Sequence, residues 1–192
     1  MLAYSKNILI YSSAFILILC SGFASAQDQI VTINASQAGI ISGESINIDV
    51  SYATSNESLT VGLRVRLHFD STAISCTESD ITYFLEDSDI GFQFLDDEND
   101  HDNDVSTDKY LNAAWASING NWPSGASWPT TLYSFSCTAL EGFAGTTLNL
   151  SQSSSASGYG FTGTGLFIGK SIPSSDTTAP VISLSGDTEV TV

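Results

Sequence analysis

The chain has 192 residues and carries 21 Asp and Glu against five Lys and Arg, a formal net charge of −16. Charge of one sign at that level excludes nucleic acid and anionic membrane surfaces as partners, because both are anionic themselves. It suits a protein that stays soluble outside the cell and meets divalent cations there.

The N-terminus reads as an export signal. Lys6 supplies a positive start, residues 8–19 are almost wholly apolar, and Ala24-Ser25-Ala26 forms a small-residue cleavage site. The apolar run is too short to span a bilayer, so no stable membrane insertion is expected. A signal peptide is therefore predicted over residues 1–26, with a mature chain beginning at Gln27 at the cell surface or in the extracellular space. Only Arg64, Arg66, Lys109 and Lys170 then remain as cations. Cys20 leaves with the signal. Cys76 and Cys137 stay, an even count in an oxidising compartment, which favours a disulfide between them over two buried thiols. With two cysteines and only His68 and His101, far apart in sequence, a zinc site is not expected.

From Gln27 onward the pattern is β. Residues 30–36 alternate at first, 39–43 read as a turn, and 45–52 alternate cleanly. There Ile46, Ile48, Val50 and Tyr52 share one face, and Ser45, Asn47, Asp49 and Ser51 the other. A period of two marks a strand with one buried side. The clearest strand is 59–70. Val61, Leu63, Val65, Leu67 and Phe69 are predicted inward, with Arg64, Arg66 and His68 outward. The two arginines are expected to pair with nearby acids, as exposed cations among carboxylates generally do. Short strands follow at 81–85, 90–95, 110–118, 131–138, 146–151, 159–161 and 165–168. No stretch has helical periodicity. About nine strands at near-regular spacing predict an all-β fold, a two-sheet antiparallel β-sandwich of jelly-roll type.

Between the strands at 90–95 and 110–118 lies the most unusual stretch, residues 96–108. Seven of its thirteen residues are carboxylates: Asp96, Asp97, Glu98, Asp100, Asp102, Asp104 and Asp108. Such a run repels itself unless solvent or a cation screens it. Asp100, Asp102, Asp104 and Asp108 stand at positions 1, 3, 5 and 9 of a loop, a spacing similar to the start of known calcium loops. Alternate residues of a tight loop can converge on one Ca²⁺, which takes six to eight oxygens. Val105 stands where the EF-hand type has Gly, and Leu111 where it has Glu, so Asp96 or Glu98 would complete the shell. A structural Ca²⁺ site on these six acids is one expectation; a solvated acidic loop is the other.

Residues 119–129 form a Gly/Pro/Asn loop with Trp122 and Trp128. Flat rings can stack against the apolar faces of sugars, with Asn119 and Asn121 accepting hydroxyls, so these four residues are the candidate carbohydrate platform. Trp115 alternates with Leu111 and Ala113 and reads as core. The alternative is that the Trp-Pro pairs simply cap one end of the sandwich. No phosphate-cradling Gly loop, Ser-His-Asp order or His-rich metal cluster is visible, and the acids are contiguous on a hydrated loop instead of being set in a cleft. The chain is not expected to be an enzyme.

Three pieces of residues 31–168 together resemble the cohesin-like and carbohydrate-binding-module sandwich family. They are the Ser42-Gly43-Glu44-Ser45 turn into the strand at 46–52, the strand at 63–69 followed by Asp70-Ser71-Thr72-Ala73-Ile74, and the strand at 132–138 followed by Gly145-Thr146-Thr147-Leu148-Asn149-Leu150. The resemblance implies a nine-stranded jelly roll without catalysis that binds a protein partner (a dockerin) or polysaccharide. Residues 27–172 are then one cohesin-like domain, 173–179 a linker, and 180–192 the truncated start of a domain that resembles a bacterial Ig-like repeat. The expected function is a non-catalytic extracellular module for protein adhesion or scaffolding, with carbohydrate binding as the alternative.

Overall fold

The computed structural model describes residues 27–77, 82–83, 91–125 and 127–172. The predicted signal peptide, linker and Ig-like start lie outside them. Twelve strands are present among the described residues: β1 Gln27–Ala35, β2 Gly39–Ile40, β3 Ser45–Thr54, β4 Gly62–Phe69, β5 Ile74–Cys76, β6 Thr82–Tyr83, β7 Gly91–Asp96, β8 Lys109–Ala116, β9 Thr130–Ala139, β10 Gly145–Ser154, β11 Tyr159–Thr164 and β12 Leu166–Lys170. They form two sheets. One runs β11-β1-β3-β9-β5, with β6 also on β9, and the other runs β2-β12-β10-β4-β8-β7.

The expected all-β sandwich is there, with two differences. The very short strands β2 and β5 raise the count above nine, because two or three paired residues leave no alternation to read. Two pairings, β1 with β11 and β12 with β2, are parallel. Ile46, Ile48, Val50 and Tyr52 of β3 face Leu63, Val65 and Leu67 of β4 across the core, with Leu111, Ala113 and Trp115 of β8 and Tyr133 and Phe135 of β9. Each such side chain contributes about 1.5–3 kcal/mol by leaving water.

The strand predicted from residue 59 begins only at Gly62. That glycine has φ +128°, and a Cβ there would collide with the Trp115 carbonyl, so the chain turns where only glycine fits. Val61 is consequently half exposed instead of in the core. Just inside the core, Gln29 is fully buried. Its Nε2 donates to the Tyr52 hydroxyl (2.8 Å) and the Gly62 carbonyl (2.9 Å), and its Oε1 accepts from the Ala156 N–H (2.8 Å). Buried amides need this full satisfaction. Cys76 and Cys137 lie opposite each other on β5 and β9 and are joined by a disulfide, as expected.

Candidate functional site

Pairing in the second sheet places outward side chains in three rows. Asn149, His68, Tyr110 and Leu95 are in register across β10, β4, β8 and β7; next come Ser151, Arg66, Asn112 and Gln93; then Ser154, Arg64, Ala114 and Gly91. Outward parity puts His68 on the solvent side of the sheet, yet it is fully buried. The acidic stretch is the reason. It leaves β7 at Asp96, returns to β8 at Lys109, and folds back over the first row. Asp100 and Asn103 adopt φ of +49° and +59°, which tightens its path, and the Asp97 N–H bonds to the Asp108 carbonyl at its neck.

Beneath the loop is a network of short bonds. His68 Nδ1 lies 2.7 Å from Asp97 Oδ2 and 3.8 Å from Asp102 Oδ1, and His68 Nε2 lies 2.7 Å from Ser151 Oγ. Asp97 Oδ1 receives His101 Nδ1 at 2.6 Å and the His101 N–H at 3.2 Å. The Asn149 amide donates to Asp102 Oδ2 and Asp104 Oδ2, each at 2.9 Å, and Thr107 Oγ1 donates to Asp102 Oδ2 at 2.9 Å. The side chains of His68 and Asp97 have no exposed surface and that of Asp102 has 2 %. Burial holds the His68 imidazole below its ordinary pKa, against the pull of Asp102 and Asp97. For Asp97, burial pushes upward but is outweighed by the His101 and His68 hydrogen bonds and the His68 charge, leaving its carboxyl below the usual range.

These positions revise the expected site. Among the six acids expected to share a Ca²⁺, Asp102 and Asp104 turn inward to Asn149. Asp96, Glu98, Asp100 and Asp108 line a separate, outward hollow of about 440 Å³ with Asp97. Asp108 accepts from the Ser71 N–H and hydroxyl, and Asp96 from Lys109 Nζ. A single ion on all six is thus not supported: Asn149 of β10 draws Asp102 and Asp104 away from the other four. Asp100 Oδ1, in the outer hollow, is buried without a hydrogen-bond partner. The histidines, far apart in sequence, meet on one carboxylate. Only the outward parity of His68 beside a dense acidic loop hinted at this.

The order Ser151–His68–Asp97 reproduces the connectivity of a serine-hydrolase relay, which the sequence had not disclosed. Such a relay works only if His Nε2 can pass its proton to a leaving group. With no part of the His68 side chain exposed, substrate cannot reach it, and the arrangement is a structural clamp.

The carbohydrate platform is also corrected. Trp122 is 4 % exposed; its ring lies 4.7 Å from that of Tyr52 and is stacked 5.6 Å from that of Trp115. Its backbone pairs with Thr60, which draws the ring inward. Trp128 is half buried and also leans on Tyr52, at 5.9 Å. Asn119 and Asn121 are exposed, but they border no flat aromatic pair. The expected arginine ion pairs are absent as well: among the described residues, neither Arg64 nor Arg66 has an acidic partner, and the Arg66 guanidinium sits 5.4 Å from the centre of the Tyr110 ring.

The structure is similar to solved cohesin modules. A non-cellulosomal cohesin from Archaeoglobus fulgidus superposes with a TM-score of 0.49 at 12 % identity, covering 76 % of this chain and 92 % of that one. A type II cohesin domain from the cellulosome of Acetivibrio cellulolyticus gives 0.45 at 13 %, covering 73 % and 95 %. The cohesin module of a family 33 glycoside hydrolase from Clostridium perfringens gives 0.46 at 12 %, covering 65 % and 80 %. No protein-family model and no curated protein matches the chain.

Proposed function

We propose that this is an exported, non-catalytic binding module that holds a protein partner on the open outer face of its second sheet. The observation that carries this reading is the pair Arg64 and Arg66. In a chain this acidic, two cations adjacent on one strand face would ordinarily be neutralised by neighbouring carboxylates. Here they stand without an acidic partner among the described residues, flanked by the small or neutral side chains of Ser151, Asn112, Ala114 and Gln93. Such a face is complementary to a partner surface that presents carboxylates and would steer it into register. The disulfide accords with an oxidising compartment, and no helix among the described residues is long and apolar enough to cross a membrane. Burial of Trp122 counts against the polysaccharide reading.

The test is selection of displayed peptides and small domains against the mature protein at low salt. Acidic binders should be enriched, lose affinity as salt rises, and fail on the Arg64→Glu/Arg66→Glu variant. Binders indifferent to that variant would defeat the proposal. Polysaccharide retention that depends on Trp128 would restore the alternative.

The same reading includes a structural Ca²⁺ in the outer hollow, supported by the unpartnered Asp100 Oδ1 beside Asp96, Glu98 and Asp108. Oxygen-only ligation at a carboxylate-rich extracellular loop suits a weak site, with Kd of about 10⁻⁴–10⁻³ M. Ca²⁺ should raise the melting temperature and Asp100→Asn should weaken that response; no heat on titration at millimolar Ca²⁺ would rule the site out.

A further inference from the structure

We infer that the inner side of the acidic loop is a second, chemically different metal site, in which His68 Nδ1, Asp97 Oδ2 and Asp102 Oδ1 bind one divalent cation of the zinc class. These three atoms lie within 4.8 Å of one another, on side chains that are almost entirely removed from solvent. The cluster is not a run of exposed acids. It joins β4 to two points of the loop and includes an imidazole nitrogen, a donor that zinc-class cations favour and that all-oxygen calcium sites do not use.

Charge supplies the first argument. Two buried carboxylates lie 2.7 and 3.8 Å from the His68 imidazole, with His101 on the far oxygen of Asp97, and among the described residues no Lys or Arg forms an ion pair with either. Negative charge in a desolvated layer is costly to hold, and a divalent cation offsets it at its source. The outward atoms of the three ligands supply the second. His68 Nε2 is held by Ser151 Oγ, Asp97 Oδ1 by the His101 ring and N–H, and Asp102 Oδ2 by Thr107 and Asn149. Each ligand therefore has its far side fixed by a hydrogen bond, and these far-side bonds are the outer shell that orients metal ligands. Of the near atoms, Asp97 Oδ2 meets His68 Nδ1; the other bonds there are longer, from the His101 N–H to Asp97 Oδ2 (3.3 Å) and from the Asp104 N–H to Asp102 Oδ1 (3.4 Å). The separations of 2.7 Å and 3.8 Å from His68 Nδ1 to the two oxygens bracket the roughly 3.3 Å between ligands around a tetrahedral ion with bonds of about 2.0 Å. Binding needs Nδ1 free of its proton; a neutral His68 meets that need as the Nε2–H tautomer, with Nε2–H donating to Ser151 Oγ and no net release of a proton. The cation would lock the loop onto the sheet beside the open arginine face.

The inference is independent of the calcium reading, and one experiment separates them. Chelator-treated mature protein is titrated calorimetrically with Zn²⁺ and, separately, with Ca²⁺; Co²⁺ is added as a visible-absorption probe. One Zn²⁺ should bind per chain with a rise in melting temperature, and Co²⁺ should give the d–d bands of a mixed nitrogen and oxygen site. His68→Gln and Asp102→Asn should each weaken Zn²⁺ by well over tenfold, and Ser151→Ala, which loosens only the outer shell, by about 10–100-fold. The Ca²⁺ response should survive His68→Gln. Absence of stoichiometric Zn²⁺ binding by the wild type would overturn the inference. So would unchanged affinity in Asp102→Asn, a variant at the loop that keeps the strand intact should His68→Gln fail to fold.

Discussion

Trp122→Ala gives the sharpest test of whether the tryptophan loop is packing or a ligand platform. The ring is 4 % exposed and contacts both Trp115 and Tyr52. A tryptophan buries about 150–250 Å², which at about 25 cal/mol per Å² corresponds to about 4–6 kcal/mol. A compact denatured state lowers that upper figure, and large-to-small substitutions of buried aromatics cost about 3–5 kcal/mol. For a domain of this size each kcal/mol shifts the melting temperature by about 2–4 °C, so the expected loss is about 6–20 °C. Urea unfolding followed by far-UV circular dichroism would supply the free energy independently of the thermal midpoint. The midpoint concentration should fall with little change in slope, since neither end state changes greatly in compactness. Trp128→Ala, at a half-buried ring against Tyr52, should cost about 1–2 kcal/mol. A loss below 1 kcal/mol for Trp122→Ala would refute the packing argument and reopen the exposed-platform reading.

Further expectations concern the loop and the bridge. His68 has a folded-state pKa below its unfolded value, so its contribution is complete above the unfolded value near 6.5 and is lost as pH falls below it. Asp97, Asp104 and Asp108 are also depressed, so theirs is complete above the unfolded value of 3.8 and disappears as pH drops through their lower folded values. Melting temperature against pH should therefore fall in two steps, and His68→Gln should remove the upper one; a flat profile between pH 7 and 5 in the wild type would contradict this. Reducing Cys76–Cys137, whose residues are separated by 61 positions, should destabilise by about 2–4 kcal/mol in urea titrations with and without reductant. Asn149→Leu removes the amide shared by Asp102 and Asp104 and should cost about 1–2 kcal/mol. It should also speed proteolytic cleavage within residues 96–108, and unchanged cleavage would mean the amide does not hold the loop.

Residue order alone set the strands and their inner faces wherever alternation ran for several residues, as in β3, β4 and β8. It also marked the Cys76–Cys137 bridge as the favoured outcome and put His68 on the outward side of β4. Those features follow from a period of two and from compartment chemistry, both readable from residue order. Tertiary contacts are what seal His68, bring His101 to the same carboxylate, tie Asp102 to Asn149 while Asp100 Oδ1 is left without a partner, and put Trp122 in the core. Each of these depends on contacts between segments distant in sequence: the loop at 96–108 lies on strands β4 and β10, and the Trp122 backbone pairs with Thr60. A single glycine had a similar effect, since Gly62 at φ +128° ended β4 early and turned Val61 outward. Local pattern sets which way a side chain points from its own strand. What then covers it, and whether a carboxylate faces water, another residue or a cation, is set by how the connecting chain folds back.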